Sequence, residues 1–264
     1  MSNKCVTTSV LMKMKQDGQT ITMLTAYDFT FASLLDEAGV DVLLVGDSLG
    51  MVVQGHDTTI PVTLHEMIYH GRCVVRAAKR AMVVVDLPFP HGQLGVRQTL
   101  RVAARVMKET GCTAIKLEGG AEQAETIHAL VAAGIPVIAH VGLRPQSVHA
   151  LGGYRVQRDG QRIAADALAA ESSGAFCVLM ECVPADIAAD ITRQLKIPTI
   201  GIGAGPHCDG QVLVTHDLLG LTVGRVPKFV RQFADLADAV RQSVSRYNES
   251  VRDGTFPDER ESFQ

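Results

Sequence analysis

The sequence is poor in several features that mark common classes of protein. It has no tryptophan and only 5% aromatic residues, which argues against a surface on which nucleic-acid bases stack. Its net charge is only −3 at pH 7, and no block of Lys or Arg stands out. No apolar run approaches the length that spans a bilayer, and the first residues lack the apolar core of a signal peptide. We therefore expect a cytoplasmic protein whose partners include neither nucleic acid nor membrane.

Two chemical motifs are also missing. The six cysteines form no C-x-x-C pair, and Cys112, Cys177 and Cys182 lie in or beside apolar runs. This pattern favours reduced core thiols over disulfides or a zinc site. The dinucleotide-binding pattern G-x-G-x-x-G is absent after the first predicted strand, where the sequence reads Asp28-Phe29-Thr30.

What the sequence does contain is a repeated unit. Of its 264 residues, 47% are apolar, and they gather in eight short runs that read as strands buried on both faces. The runs cover residues 20–28, 40–47, 81–88, 112–117, 136–141, 175–180, 198–205 and 211–217. Helical spacing separates most of them, as in the segment that follows the capping-box pair Thr63 and Glu66.

Eight such units in this length predict an α/β fold, a (β/α)8 TIM barrel, better than an open sheet. We expect one domain over residues 1–264, with a lead-in segment at residues 1–19. The amphipathic pattern near residues 230–248 predicts a C-terminal helix.

Polar residues follow several of the predicted strands at the point where each strand ends. They are Asp47 with Ser48, Asp86, Lys116 with Glu118, His140 and Glu181. A single Asp in such a place is commonly a turn residue or a helix cap. In a barrel, however, all the carboxyl ends of the strands open onto one mouth. We therefore expect these side chains to share one site.

Four carboxylates in a desolvated mouth would cost several kcal/mol unless positive charge answers them. Lys116 supplies one charge, and a divalent cation is the natural second. Ligands that are all oxygen favour Mg²⁺, with Asp47 and Asp86 as direct ligands and Glu118 bound directly or through water. Such an ion could chelate a 2-oxo acid, polarise its oxo group and make the adjacent carbon acidic.

The remaining polar residues then take predicted roles around that substrate. Glu181 comes from another part of the ring and is the predicted base. Lys116 would hold the substrate carboxylate or the developing enolate charge, and Ser48 would donate a hydrogen bond to the carboxylate. His140 has two possible roles. It could contact the substrate, or it could be a hydrogen-bonded core residue, as a lone histidine on an apolar strand often is.

The chain also resembles the ketopantoate hydroxymethyltransferase family along nearly its whole length. The matching segments are Thr25-Ala26-Tyr27-Asp28, Val45 to Met51, Gln54 to Asp57, Asp86 to Phe89, Lys116 to Gly120, His140 to Leu143, Gly152-Gly153-Tyr154, Glu181 to Pro184, Gly201 to Gly205 and Pro227-Lys228-Phe229. Each segment alone is unspecific, but their ordered set is specific.

The resemblance implies a reaction that the residues alone do not name. The enolate of 3-methyl-2-oxobutanoate would take a hydroxymethyl group from 5,10-methylenetetrahydrofolate and give 2-dehydropantoate, on the way to pantothenate and coenzyme A. Asp47, Asp86 and Glu118 would bind Mg²⁺. Asp47, Ser48, Asp86 and Lys116 would contact the oxo acid, and Glu181 would accept the proton. The family also implies a homo-oligomer, a decamer.

Two alternatives stay open from the sequence. A carbon–carbon lyase of the phosphoenolpyruvate/pyruvate barrel type would use the same metal and enolate without folate. A barrel that serves only as an assembly scaffold would need none of these acids.

Overall fold

Eight short parallel strands pair in sequence order and close into a barrel within the described residues, which are 5–224 and 226–263 of a computed structural model. The strands are β1 Ile21–Thr25, β2 Val42–Val45, β3 Met82–Asp86, β4 Ala114–Glu118, β5 Val137–Gly142, β6 Cys177–Glu181, β7 Thr199–Ile202 and β8 Gly210–Leu213. The ring closes where β1 pairs with β8. The predicted barrel is thus confirmed.

Helices follow most strands, as parallel pairing requires. They are α1 Thr8–Gln16, α2 Phe29–Glu37, α3 Leu49–Val52, α4 Leu64–Ala77, α5 Val96–Thr110, α6 Ala124–Ala132, α7 Gly160–Ser172, α8 Ala185–Gln194, α9 Thr215–Leu218 and α10 Leu236–Arg252. The predicted capping box is present, because Thr63 caps α4 and Glu66 accepts from the Thr63 backbone N–H at 2.7 Å. None of the described helices is long and apolar enough to cross a membrane.

The described residues fall into two compact units that divide between Val214 and Thr215. The first unit contains the whole barrel, and the second contains α9 and α10. The prediction placed one strand over residues 211–217, but β8 ends at Leu213 and α9 begins at Thr215. The C-terminal helix likewise begins at Leu236 rather than near residue 230. That the whole chain is one domain stays a prediction.

Alternate residues of each strand pack on opposite sides of the barrel wall. Leu43, Val45, Val83 and Val85 belong to a large cluster with apolar residues of the surrounding helices. The residues between them belong to a second cluster, which fills the barrel interior: Met23, Val42, Leu44, Met82, Val84, Ala114, Ile138, Cys177, Leu179, Ile200 and Val212 with several neighbours. All six cysteines are free, and Cys112, Cys177 and Cys208 are buried.

The end of the barrel at which the strands begin holds acids that are well supplied with donors. The buried carboxylate of Asp36 accepts backbone N–H bonds from Lys79, Arg80 and Ala81 at 2.6–3.3 Å. Burial opposes ionisation, yet these backbone donors keep the pKa of Asp36 below its usual value.

Two ion pairs stand at the same end. Asp41 pairs with Arg80 at 2.9 Å, and Asp209 pairs with Lys15 at 2.7 Å. Each carboxylate also accepts a backbone N–H, from Thr22 and from Thr199 respectively. At this end of the barrel, ion pairs and hydrogen bonds therefore link the beginnings of the strands to neighbouring segments.

Candidate active site

A layer of polar side chains continues the inward-facing positions of the strands at their carboxyl ends. Asp86 follows Met82 and Val84 in β3 at the two-residue spacing of a strand, and Glu181 follows Cys177 and Leu179 in β6. By the same spacing Lys116 and Glu118 follow Ala114 in β4, and His140 follows Ile138 in β5. In the ladder Asp86 lies beside Lys116, and Glu118 lies beside His140. The alternation therefore directs all of these side chains into the mouth.

Asp47 joins this layer from the turn that follows β2 rather than from within a strand. Gly46 follows β2 immediately and takes the next inward position after Leu44, where a Cβ would lie 2.8 Å from Ser48 Oγ and 3.5 Å from Asp86 Oδ2. Because that space is left open, the chain turns close to β3, and the backbone N–H of Asp47 donates to Asp86 Oδ2 at 3.2 Å. Glycine here brings the first two predicted acids together.

Lys116 is at the centre of the cluster. Its Nζ lies 2.7 Å from Asp86 Oδ1 and 3.2 Å from His140 Nδ1. His140 Nδ1 is 4.0 Å from Glu118 Oε1, and His140 Nε2 is 3.3 Å from Glu181 Oε2, although the Nε2 group is not aligned for a hydrogen bond. The structure thus brings all six predicted residues into one chain of contacts, which Asp47 joins through its backbone N–H.

The carboxylates of this cluster are short of positive charge. Burial raises the pKa of Asp86 to about 7, helped by the negative charge of Asp47 and opposed by Lys116. Burial also raises the pKa of Asp47, and it raises the pKa of Glu118 well above its usual value. Glu181 retains 16% of its side-chain exposure, and burial raises its pKa to about 7 against the pull of Lys116.

The two basic groups of the cluster respond in opposite directions. Burial alone would lower the pKa of Lys116, but the carboxylates of Asp86, Asp47 and Glu118 outweigh it and raise that pKa. The Lys116 side chain is therefore protonated, as an ammonium ion, at neutral pH. Burial and the charge of Lys116 hold the pKa of His140 well below its usual value, so its imidazole is neutral. Because Lys116 can only donate, His140 Nδ1 accepts and the imidazole proton resides on Nε2, facing Glu181.

Ser48 lies at the edge of the cluster, immediately after Asp47. Its Oγ is 2.9 Å from the hydroxyl of the buried Tyr27, and either oxygen can be the donor. The Tyr27 carbonyl in turn lies 2.6 Å from His70 Nδ1. These contacts fix the Ser48 hydroxyl beside the acids, which is what the predicted substrate contact requires.

Two residues near the acids have no predicted role from the sequence. Gln146 is buried and donates from Nε2 to Asp47 Oδ2 at 2.8 Å. Tyr154 lies in the loop after β5, and its hydroxyl contacts Met51 Sδ at 3.6 Å. Burial, with the nearby charges of Glu181, Asp47 and Glu118, raises the pKa of Tyr154, which keeps it neutral. Both lie beyond the end of a strand and carry no charge, so the pattern of charged residues at strand ends does not include them.

The donor set fits a divalent cation in its chemistry. Three buried carboxylates with raised pKa values face a single ammonium group, and their oxygens are ligands that Mg²⁺ prefers. Within residues 5–224 and 226–263, however, no three His, Cys, Asp or Glu side chains are arranged to hold a metal ion as they stand. Lys116 engages Asp86, and Gln146 engages Asp47 and Glu118. Mg²⁺ commonly needs only one or two carboxylates together with water and substrate oxygens.

Comparisons with known proteins place the chain in a family. It is 62% identical over 259 residues to a 3-methyl-2-oxobutanoate hydroxymethyltransferase of Rhodopirellula baltica, covering 98% of this chain and 96% of that protein. It is 56% identical to the protein of that name from Desulforapulum autotrophicum, covering 98% of each.

Solved structures show the same fold at low identity. A phosphonopyruvate hydrolase matches with a TM-score of 0.64 and 16% identity, covering 98% of this chain and 92% of that one. A 2,3-dimethylmalate lyase, described as a member of the PEP mutase/isocitrate lyase superfamily, matches with a TM-score of 0.60 and 19% identity, covering 97% and 91%. The profile for ketopantoate hydroxymethyltransferase matches residues 5–259. With the relatives of the same type, this match shows that the chain belongs to the ketopantoate hydroxymethyltransferase family.

Proposed function

We propose that the protein transfers a hydroxymethyl group from 5,10-methylenetetrahydrofolate to 3-methyl-2-oxobutanoate, giving 2-dehydropantoate for pantothenate and coenzyme A synthesis. The observation that carries the proposal is the buried cluster of Asp47, Asp86, Lys116 and Glu118 with Glu181 at its side. Family membership supports the reaction type. One water is consumed, because the product carries a hydroxyl oxygen that the methylene donor lacks.

The positive and hydroxyl groups of the cluster bind the oxo acid. Lys116 remains an ammonium ion in the buried site, so it attracts the substrate carboxylate and the charge that develops on the oxo oxygen. Ser48, held by Tyr27, donates to the carboxylate. Asp47 and Asp86 complete the polar wall on this side of the substrate.

Glu181 removes the proton from C3 of the oxo acid. It is the most exposed of the four acids, and its pKa of about 7 suits a group that must accept a proton near neutral pH. His140 is neutral and its Nε2 lies 3.3 Å from Glu181 Oε2 without a hydrogen bond between them, so it borders the base rather than replacing it. The negative charge left on the substrate lies on the side of Lys116.

The residues that would hold Mg²⁺ are Asp47, Asp86 and Glu118. The bound cation would polarise the oxo group and so make the C3 proton more acidic. The positive charge of the cation would also offset the burial of these carboxylates, which is the main cause of the raised pKa of each.

Isotope exchange tests the proposal directly. With 3-methyl-2-oxobutanoate and MgCl₂ in D₂O, we expect deuterium to enter at C3 without folate, and 2-dehydropantoate to form once 5,10-methylenetetrahydrofolate is added. Glu181→Gln should bind the oxo acid but lose the exchange. Glu125→Gln, at an exposed helix position, serves as the matched control. Exchange without any folate-dependent product would instead favour the lyase.

A homo-oligomer, a decamer by family resemblance, completes the proposal. Within α10, whose residues are all described, no side chain is buried. Its exposed apolar residues Val240, Val244, Tyr247 and Val251 follow alternating steps of four and three. That spacing is typical of a helix that packs against another. Light scattering on the full chain should give a mass of several subunits, and a monomer would contradict this part of the proposal.

A further inference from the structure

Gln146 connects three strand ends of the mouth through one side chain and one backbone group. It lies in the short 3-10 helix Pro145–Ser147 that follows β5. Its Nε2 donates to Asp47 Oδ2 at 2.8 Å and to the Leu87 carbonyl at 2.9 Å. Its backbone N–H lies 3.3 and 3.2 Å from the two carboxylate oxygens of Glu118. A residue from the β5 loop thereby contacts acids that follow β2 and close β4.

The chemistry of an amide matters at this position. A neutral donor can fix a carboxylate oxygen without cancelling its charge, whereas a second Lys would make the cluster less attractive to a cation. Because Nε2 is engaged with Oδ2 of Asp47, it leaves the other oxygen of that carboxylate for a ligand. The Leu87 carbonyl holds Gln146 in turn, since it takes the second amide proton.

We propose that Gln146 is a positioning residue that orients Asp47 and Glu118 to receive a divalent cation. This inference rests on the proposed function, which assigns those two carboxylates to Mg²⁺. Groups that hold metal ligands in this manner typically change metal affinity by about 10- to 100-fold when they are removed. The side-chain contact to Asp47 is specific to Gln146, whereas any residue except proline would supply the backbone contact to Glu118.

The test uses Gln146→Met, which keeps the length of the side chain and removes its donor. MgCl₂ alone is titrated into the full-length protein by calorimetry, without substrate. We expect Mg²⁺ to bind about 10- to 100-fold more weakly to the variant than to the parent. In turnover assays at increasing MgCl₂, the MgCl₂ concentration that gives half of the maximal rate should rise by a larger factor than the factor by which kcat falls. A general loss of folded protein would lower kcat without changing that concentration.

Gln146→Glu is the second variant, because it is nearly isosteric and its carboxylate cannot donate to Asp47. It should also weaken Mg²⁺ binding if orientation by the donor matters more than added charge. Gln93→Met is the matched control, since Gln93 Nε2 contacts Gln146 Oε1 at 3.4 Å and is not the donor to Asp47. It should change Mg²⁺ affinity less than threefold.

Folded Gln146→Met protein that binds Mg²⁺ as tightly as the parent, or more tightly, would overturn the inference. It would mean that the amide only fills space or competes with the ion. A parent protein that fails to bind Mg²⁺ would give a different result, because it would remove the metal from the proposed function and this inference with it.

Discussion

Buried carboxyl groups at the two ends of the barrel have pKa values that are shifted in opposite directions. Where the strands begin, Asp36 accepts three backbone N–H groups, and its pKa is lowered. Where the strands end, Asp86 and Glu181 share one ammonium group with two further acids, and the pKa of each rises to about 7. The first end is satisfied by its own residues and the second is not. The unbalanced negative charge at the mouth supports the proposed binding of a cation and an oxo acid there.

Glu181→Gln should give the largest contrast between activity and stability. Loss of a general base typically costs about 10²- to 10⁴-fold in rate, so we expect C3 exchange to fall by at least about a hundredfold. The variant should be no less stable at pH 8, because a neutral amide replaces a partly buried carboxylate. Exchange rates and urea unfolding on the same samples measure both effects. Retained exchange would place the base elsewhere, with His140 the first residue to examine.

Asp86→Asn should weaken Mg²⁺ binding and activity together. One ligand charge at a few ångströms is worth several kcal/mol even at an effective dielectric constant of about 20. We therefore expect Mg²⁺ affinity to fall by about a hundredfold or more, measured by calorimetry. Asp41→Asn, at the other end of the same barrel, should leave the affinity unchanged. Equal Mg²⁺ affinity in Asp86→Asn and the parent would show that Asp86 is not a ligand.

Asp36→Ala should show the reverse pattern. Three backbone donors lose their partner, and we expect the free energy of unfolding to fall by about 2–4 kcal/mol while kcat/KM is retained. Because the pKa of Asp36 is lowered in the folded state, its contribution is present at neutral pH and is lost as the pH falls through that pKa. Asp17→Ala, which removes an exposed pair with Lys13, is the control and should change stability much less. A large loss of activity without loss of stability would break the comparison.

The pH dependence of exchange should follow Glu181. Its raised pKa of about 7 means that the carboxylate is the active form above that pH and the neutral acid is inactive below it. We expect the rate to fall about tenfold for each pH unit below the pKa. Initial rates between pH 5 and pH 9, at saturating oxo acid and MgCl₂, measure this. A profile flat through this range would assign the proton transfer to another group.

The sequence predicts the barrel and the charged layer because both follow from the periodicity of strands. Asp86, Lys116, Glu118, His140 and Glu181 sit at inward positions that can be counted along each apolar run. Gln146 lies beyond the end of β5 in a loop, where no periodicity fixes the direction of a side chain. The predicted eighth strand is too long because it takes in the polar residues Thr215, His216 and Asp217, on the pattern of the other strands that end in polar residues, whereas the backbone already turns into α9 at Thr215. The roles of the site residues, as distinct from their proximity, stay predictions.

The apolar layer just below the acids limits the directions from which small molecules can reach the site. Leu44, Val84, Ala114 and Ile138 pack together beneath the polar side chains and seal the barrel from its other end. A small molecule therefore cannot reach the polar side chains through the barrel interior, and a substrate would approach them from the end at which the strands finish. Under the proposed function, the reactant that binds deepest at this end of the barrel would enter first, and the product formed from it would leave last.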